Sequence, residues 1–428
     1  MADVALLGAP GKPVLTAEAL RDFARRRGEG APLVAARLAA LEIYLAAGLP
    51  DRVRHLWRYT DPARLLPASP LLVASAADPA PTREPLRDGE EAVVWLAGGA
   101  PRLSAAAADA GIQVAPLAAA GVELDRLGTA VPAAHGLFEA LNAAAWSDGV
   151  LVRLPRRTVL AQPLRVVVPA ASGTTLPRLL IVAEAGAEAT VVEEHVGGGD
   201  DARVVGVSEL FLAPGARLRH VLLQRWVAGT AGHLTTRARL ERDADLLTVV
   251  AVLGGAVATL DLGAILAGEG ARSRMVGVAL GEGRQHHDVH TLHRHTAGHT
   301  RSNLDIKAVL SGRARSVYTG LIRIEEGAPH SEAYQENRNL LLSDHCRADT
   351  IPELEILTDE VSCTHGATVS PVDPEQLFYL CSRGLDPAGA VRLIVRGFLE
   401  PTLCRLPEPL RGEVEALVTG RLASLGGT

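Results

Sequence analysis

The central part of the chain alternates valine-rich apolar segments with short polar turns of similar composition. From about residue 156 onward the turns recur about every 28 residues, and the series continues at half that interval. This period predicts a coil that places two strands on each turn and buries its apolar face by stacking on the next coil, as a β-helix does. The turns are centred on Gly186, Gly215, Asp243, Gly270, Gly298, Gly312 and Gly327.

The same turns favour a β-helix over the competing interpretation, an antiparallel sandwich. Turns in a sandwich are usually closer together and less regular in their spacing. Glycine or aspartate at each turn centre is typical of positions that need unusual backbone angles. We therefore expect the turn centres to adopt such angles.

The N-terminal part of the chain predicts helices and a small α/β region. Apolar residues at helical spacing occur in residues 15–27 and 31–50, and Pro50 stops the second helix. Residues 68–85 are rich in Ala, Pro, Ser and Asp and predict a linker. Short strands and one further helix then extend to residue 155.

The C-terminal part of the chain returns to helix. Asp373 and Asp386 can each cap a helix whose first residue is the proline that follows, and a last helix covers roughly residues 408–425. Apolar stripes on such helices are most often core, but a terminal subdomain can also present one to a partner. The stripes consist of Leu377, Phe378, Leu380 and Cys381 in one helix and of Val391, Ile394, Val395 and Phe398 in the next.

Composition narrows the class of protein. The 428 residues suffice for two or three structural units. A net charge of −6 and a pI near 6.2 argue against a nucleic-acid-binding protein, which normally has a basic face. The 3% of aromatic residues also argues against a surface on which bases or sugars stack.

The cysteines and the apolar segments bear on the compartment. The first of the four cysteines is Cys346 and their spacing shows no disulfide framework, so we expect a reducing, cytoplasmic setting. Residues 1–15 lack the pattern of a signal peptide. The most apolar run, Leu246–Leu266, is interrupted by two glycines and by Asp261, so it predicts buried strands and no membrane span.

The sequence shows no motif for nucleotide binding or hydrolysis. A phosphate-binding loop, a Gly-x-Ser-x-Gly elbow, a His-Glu-x-x-His helix and a Cys-x-x-Cys pair are all missing. We therefore expect a non-enzymatic chain that binds no nucleotide, so that another chain hydrolyses any ATP its work requires.

Six histidines between residues 286 and 299 form the densest titratable cluster. On a strand, His286, Asp288 and His290 would share one face, while His293 and His295 would share the other. A metal site that includes His286 and His290 is one interpretation, because imidazole binds zinc, iron and nickel. Since alternation divides the group, polar strand and turn residues are the favoured interpretation.

Cys363 and His365 form a second candidate site. If this segment is a strand, both side chains point the same way, with Thr364 opposite. A thiolate and a neutral imidazole would bind iron or sulfur species. The alternative is a buried cysteine beside a hydrogen-bonded histidine, which is the commoner arrangement in proteins. The residues alone leave both interpretations open.

Four segments of the chain resemble the SufB/SufD scaffold proteins of iron–sulfur cluster assembly, and the SufD branch more closely. A SufB-type cysteine block is not found, and the Ser-Pro-Val-Asp that follows Val369 departs from the turn usual in that family. The resemblance covers essentially the whole chain, and its third segment is the most specific. The four segments are His55–Asp61, Phe138–Pro155, Ser331–Val369 and Gln376–Leu403.

The resemblance implies the same β-helical core as the repeat, and the change in sequence character near residue 156 and the return to helix after residue 370 divide the chain. The fold is mainly β, with a right-handed β-helix core that is flanked by an N-terminal helical and α/β region and a C-terminal helical subdomain. The predicted divisions are residues 1–155, 156–370 and 371–428.

The resemblance also implies partners and site residues. The partners are a SufB-like scaffold chain, or a second copy of this chain, and an ABC-type ATPase, SufC. A cysteine desulfurase acts indirectly. A transient iron–sulfur cluster or iron would form at the interface between scaffolds, with His365 and then Cys363 as ligands, and the terminal helices would dock the ATPase. The docking residues are Leu377, Phe378, Leu380, Val391, Ile394 and Phe398.

Three other functions remain as alternatives: a SufB-like scaffold, a histidine-rich metal-binding protein and a carbohydrate-active enzyme on a β-helix. Neither nucleic acid nor a membrane is an expected partner. Few aromatic residues and the lack of an evident row of acidic or basic catalytic groups count against the enzyme.

Overall fold

The computed structural model describes residues 12–52, 55–67, 92–96, 102–119, 123–406, 408 and 410–425. The linker predicted at residues 68–85 lies outside the described residues. The N-terminal elements are α1 (Ala17–Arg26), α2 (Ala31–Ala46), β1 (Ala92–Trp95), β2 (Arg102–Leu103), α3 (Ala105–Asp109), β3 (Gln113–Pro116) and α4 (Leu137–Ala145).

Long parallel strands follow, most of them ten residues in length. They are β4 (Asp148–Leu154), β5 (Leu164–Ala170), β6 (Thr174–Thr175), β7 (Pro177–Ala183), β8 (Glu188–Gly197), β9 (Arg203–Leu212), β10 (Arg217–Trp226), β11 (Ala231–Leu240), β12 (Asp245–Val252), β13 (Val257–Leu266), β14 (Arg272–Gly281), β15 (His286–His295), β16 (Arg301–Leu310), β17 (Arg315–Ile324), β18 (Glu332–Leu341), β19 (Arg347–Ile356) and β20 (Ser362–Pro371). Three helices end the chain: α5 (Pro374–Ser382), α6 (Pro387–Leu403) and α7 (Leu410–Leu425).

Successive strands alternate between two sheets, so the chain winds as a coil. Sheet A has the order β2-β1-β5-β8-β10-β12-β14-β16-β18-β20, and sheet B has the order β19-β17-β15-β13-β11-β9-β7-β4-β3. Equivalent residues stand in columns across the coils, as Val257, His286 and Arg315 do in sheet B. The β-helix predicted from the repeat is confirmed. Because β4 belongs to sheet B, the coil starts before residue 156, where the sequence placed its boundary.

The turn centres adopt the expected backbone angles at most positions. Left-handed φ occurs at Gly186, Gly215, Asp243, Gly270 and Gly312. At the two other turns the left-handed residues are His299 and His330, so the expectation for Gly298 and Gly327 is wrong.

Gly298 has a different physical role from the other turn glycines. A Cβ atom there would lie 3.0 Å from the carbonyl oxygen of Pro329 in the next coil. This glycine therefore permits close stacking of two turns, and the neighbouring His299 provides the left-handed angle, which a non-glycine residue adopts at some cost.

Helices cover the outer faces of the two sheets. The N-terminal helices α2 and α4 pack on sheet B, where Tyr44 and Phe138 join a buried cluster with Val205 and Val257. The C-terminal helices α6 and α7 pack on sheet A, where Leu399 and Val418 join a second cluster with strand residues. The coil is thus held between two helical layers, each fastened to a different sheet.

A buried polar network around an ion pair of sheet B joins the N-terminal region to that sheet. Nη2 of Arg178 donates to Oε2 of Glu209 at 2.7 Å, and Nη1 donates to Oδ1 of Asn142 in α4 at 3.1 Å. The Glu209 carboxylate also accepts three backbone N–H groups from residues 128, 130 and 131. All three side chains are buried. The polar groups of this network are therefore largely satisfied inside the fold, as buried charges require.

The interior of the coil becomes polar toward its C-terminal end. One inward column runs from Leu222 through Val250 and Ile306 to Asn337. The buried Asn337 side chain donates from Nδ2 to the carbonyl oxygen of Ile306 at 3.0 Å and accepts from Nδ2 of Asn339 at 2.7 Å. The last coils therefore have less apolar surface to bury than the earlier ones.

Glu209→Gln should lower the free energy of unfolding by about 3–5 kcal/mol, because the Arg178 guanidinium would remain buried without its counter-charge. Chemical denaturation measures this difference. The matched control is Glu241→Gln, which removes a partner from the exposed Arg239–Glu241 pair and should change stability by less than about 1 kcal/mol. Equal effects of the two substitutions would contradict the argument.

Stability should fall as the pH falls from about 6.5 to about 4, because three inward histidines of β15 are buried in the neutral form. Burial lowers the pKa of His287 and His295 to about 4 and that of His293 to about 3. Each unfolded imidazole binds a proton in this range that its folded counterpart does not bind. Each group therefore contributes up to about 1.4 kcal/mol per pH unit.

Denaturation of His293→Gln across this pH range tests the effect. The slope of stability against pH should be smaller than in the unsubstituted chain, whereas the exposed control His345→Gln should leave the slope unchanged. An unaltered slope in His293→Gln would show that this histidine does not titrate as the burial requires.

Candidate functional site

The C-terminal end of the coil is open. Within the described residues, β20 is the last strand of sheet A and pairs with β18 alone, while sheet B ends one strand earlier at β19. Almost all residues of β20 are exposed, although the inward-facing residues of β18 beside them are buried. Residues that would be core in any earlier coil therefore face solvent here.

The open end has an apolar rim. Ile356 continues the column of Ile324, which is fully buried one coil earlier, yet Ile356 is 41% exposed. Leu357 and Val369 are exposed by similar fractions. Solenoid proteins need such terminal surfaces to be capped, so this end of the coil has the properties of an interface.

Cys363 and His365 lie on the inward row of β20. They pair in register with Ala333 and Gln335 of β18, which are buried, while Thr364 pairs with the partly exposed Tyr334. The predicted arrangement, with the thiol and the imidazole on one face and Thr364 on the other, is therefore confirmed. Their role as ligands stays a prediction.

The two side chains differ in environment. His365 is exposed, whereas Cys363 is half-buried and packs, as Leu354 and Val361 do, against the buried apolar cluster inside the coil. Burial raises the pKa of the Cys363 thiol. Cys363 is consequently a thiol rather than a thiolate at neutral pH, and metal binding there would have to displace its proton.

A polar layer lies behind His365. The buried Gln335 donates from Nε2 to the carbonyl oxygen of Gly320 at 3.0 Å, and its Oε1 has no hydrogen-bond partner among the described residues. The Tyr318 hydroxyl, which lies 2.9 Å from Oγ1 of Thr291, has its pKa raised to about 12 by burial. Sequence reasoning missed this layer, because only the register of the coils places Gln335 beside His365.

The histidine-rich strand β15 does not join this site. His286 and His290 lie on the outer face of sheet B, and Nε2 of His286 is 2.6 Å from Oγ1 of Thr60. His293 and His295 face inward, where Nε2 of His293 lies 3.1 Å from Oγ of Ser273. The division of the cluster between two faces, predicted from strand alternation, is confirmed.

The six predicted docking residues have different environments. Val391, Ile394 and Phe398 are half-buried against the chain's own cluster on sheet A. Leu377 and Leu380 are also half-buried, whereas Phe378 is 76% exposed. Two further apolar residues that were not predicted from the sequence are also exposed. Tyr379 follows Phe378 in α5, and Leu393 lies on α6. The docking role itself stays a prediction.

No helix in the described ranges has the length and apolar character needed to span a membrane.

A family model described as "SUF system FeS cluster assembly, SufBD core domain" matches residues 166–398, from β5 into α6. The chain is 30% identical over 299 residues to an iron–sulfur cluster assembly SufBD family protein of Staphylococcus saprophyticus, which is 68% of this chain and 63% of the relative. A protein of the same description from Mycobacterium tuberculosis is 33% identical over 299 residues, which is 68% of this chain and 72% of the relative.

The match thus spans less than two thirds of the staphylococcal relative's length. The matched residues contain most strands of the coil, together with Cys363, His365 and the exposed Phe378. Family model, relatives and fold agree, and the chain belongs to the SufBD family of iron–sulfur cluster assembly proteins.

Proposed function

We propose that the chain is a SufD-like scaffold subunit that works in a complex with a SufB-like chain and a SufC-like ATPase. In this proposal an iron–sulfur cluster is assembled as cargo where the partner scaffold covers the open end of the coil. His365 supplies one ligand, and the partner supplies the main thiolate. The observation that carries the proposal is the exposed imidazole of His365 in a row whose earlier members are buried.

The environment of the open end supports this role. A neutral imidazole is a good iron ligand, and an interface that excludes water strengthens its bond to a metal. Cys363 is the second ligand in the proposal and is less available, because burial keeps it protonated. The apolar rim around Ile356 and Val369 supplies the area that a partner would bury.

The choice of SufD over SufB rests on the cysteines. The chain has only Cys346, Cys363, Cys381 and Cys404, and these do not form the SufB-type cysteine block.

The same cysteines bear on the compartment. None of them forms a disulfide, and four free thiols support a reducing, cytoplasmic compartment. A homodimer of this chain would cover the open end in the absence of the SufB-like partner.

The proposed ATPase contact centres on Phe378. An exposed aromatic ring on a short terminal helix is typical of an anchor residue that fills a pocket in a partner. In the proposal the partner hydrolyses ATP and this chain is a non-catalytic scaffold, which is consistent with its lack of a phosphate-binding loop. Movement of the terminal helices on ATP binding would then rearrange the scaffold interface and expose His365 to iron and sulfur.

Substitution His365→Ala should leave the complex intact and change the stability of the isolated chain by less than about 0.5 kcal/mol, because the side chain is exposed. Cluster maturation on a recipient apoprotein should fall at least several-fold. The matched control is Thr364→Ala on the opposite face of the same strand. Undiminished maturation by an intact complex containing the alanine variant would reject the ligand role.

Substitution Phe378→Asp, alone or together with Leu380→Asp, should lower the affinity for the ATPase by roughly 30-fold or more, because an aromatic anchor is worth about 2 kcal/mol of binding free energy. Co-purification with the ATPase measures this loss. Val159→Asp is the control, because Val159 is a similarly exposed apolar residue elsewhere on the chain. Retention of the ATPase by the double variant would reject this docking surface.

A further inference from the structure

A small pocket lined by titratable side chains lies on the outer face of sheet B, under the N-terminal region. Its walls come from the turn before α4, from the first turn of α4, and from β11, β13 and β15. The titratable residues are His135, Glu139, His233, Asp261 and His290. None of them takes part in the site at β20.

Three of these residues place ligand atoms close together. His135, Glu139 and Asp261 each place one potential metal-ligand atom within 4.8 Å of the other two. Nε2 of His135 is 2.8 Å from Oδ2 of Asp261. A divalent transition-metal ion with bonds of about 2.0–2.2 Å to nitrogen and oxygen needs ligand atoms about 3–4 Å apart. Small side-chain movements would therefore bring all three onto one ion.

His290 provides an independent indication of a ligand. Its side chain is buried and lines the same pocket, and its Nε2 lies 2.8 Å from Oδ1 of Asp288. Its Nδ1 has no hydrogen-bond partner in the described part of the chain. A buried imidazole nitrogen without a hydrogen-bond partner is an atom that a bound metal ion would satisfy.

The two carboxylates are held in place by further contacts. Oε1 of Glu139 is 2.9 Å from Nε2 of His233, and Oδ1 of Asp261 accepts from Nη2 of Arg237 at 2.7 Å. The contact of Glu139 does not involve its Oε2, and Oδ2 of Asp261 is the oxygen that faces Nε2 of His135. Such outer contacts orient ligands and reduce the cost of organising them around a metal.

We propose that His135, Glu139 and Asp261, with His290 as a fourth ligand, form a binding site for one divalent first-row transition-metal ion. The ion would hold α4 and the turn before it against β13 and β15. The competing explanation is that the same groups are only a hydrogen-bonded network that fastens the N-terminal region to the coil. The two explanations differ in whether the full-length chain binds a metal here.

Titration of the metal-free, full-length chain with Co²⁺ tests the proposal. One equivalent should bind with saturable visible d–d absorption and without the near-ultraviolet band of a thiolate ligand, and Zn²⁺ should displace it. Zn²⁺ should also raise the melting temperature, because it binds the folded state. Loss of a residue that contacts only a metal ligand lowers metal affinity by roughly 10- to 100-fold. Because Glu139 and His135 would bind the ion directly, Glu139→Gln and His135→Gln should each lower the affinity for Co²⁺ by more than this.

A control separates this pocket from other sites. The exposed His345→Gln should bind Co²⁺ as the unsubstituted chain does. Since His135 lies at the partly exposed edge of the pocket, its variant remains informative if Glu139→Gln does not fold. Absence of saturable binding, unchanged affinity in His135→Gln, or a thiolate band that disappears in Cys363→Ser would overturn the proposal.

Discussion

Stacking of one coil on the next is the constraint on which the rest of this structure depends. Each strand pair buries its inward row only because another pair lies above and below it, and the columns of equivalent residues are the record of that stacking. At β20 the stacking stops, so the row that includes His365 loses its cover. The same rule that builds the core therefore also creates the surface on which the family's chemistry is proposed to occur.

The repeat in the sequence was sufficient to predict the coil, because glycine or aspartate marks most turns and valine-rich segments mark the strands between them. It was insufficient at Gly298 and Gly327, where His299 and His330 take the left-handed angle. A glycine in a sequence shows only that a Cβ atom is absent. A glycine can be required by a left-handed backbone angle or by a neighbour that leaves no room for a Cβ atom. At Gly298 the neighbour is Pro329 of the adjacent coil, which the sequence alone does not place there.

Strand alternation likewise placed Cys363 and His365 on one face, but it could not show that this face is uncovered. The pocket around His135, Glu139 and Asp261 was beyond sequence reasoning, because Asp261 is more than a hundred positions from the other two residues and meets them only when α4 lies on sheet B. The apolar stripe of α6 was ambiguous for a similar reason. Helical spacing identifies Val391 and Phe398 as one face, whereas only packing shows that this face contacts sheet A.

The attachment of α6 has a mechanical consequence. Nζ of Lys307 donates to the carbonyl oxygen of Phe398 at 2.7 Å, and Asp305 accepts from Thr402 and pairs with Arg405, so α6 is tied to β16. β16 is two ladders from β20 within sheet A, while the N-terminal helices are tied to sheet B. A force applied to α6 would therefore act on sheet A near its free edge and displace sheet A relative to sheet B.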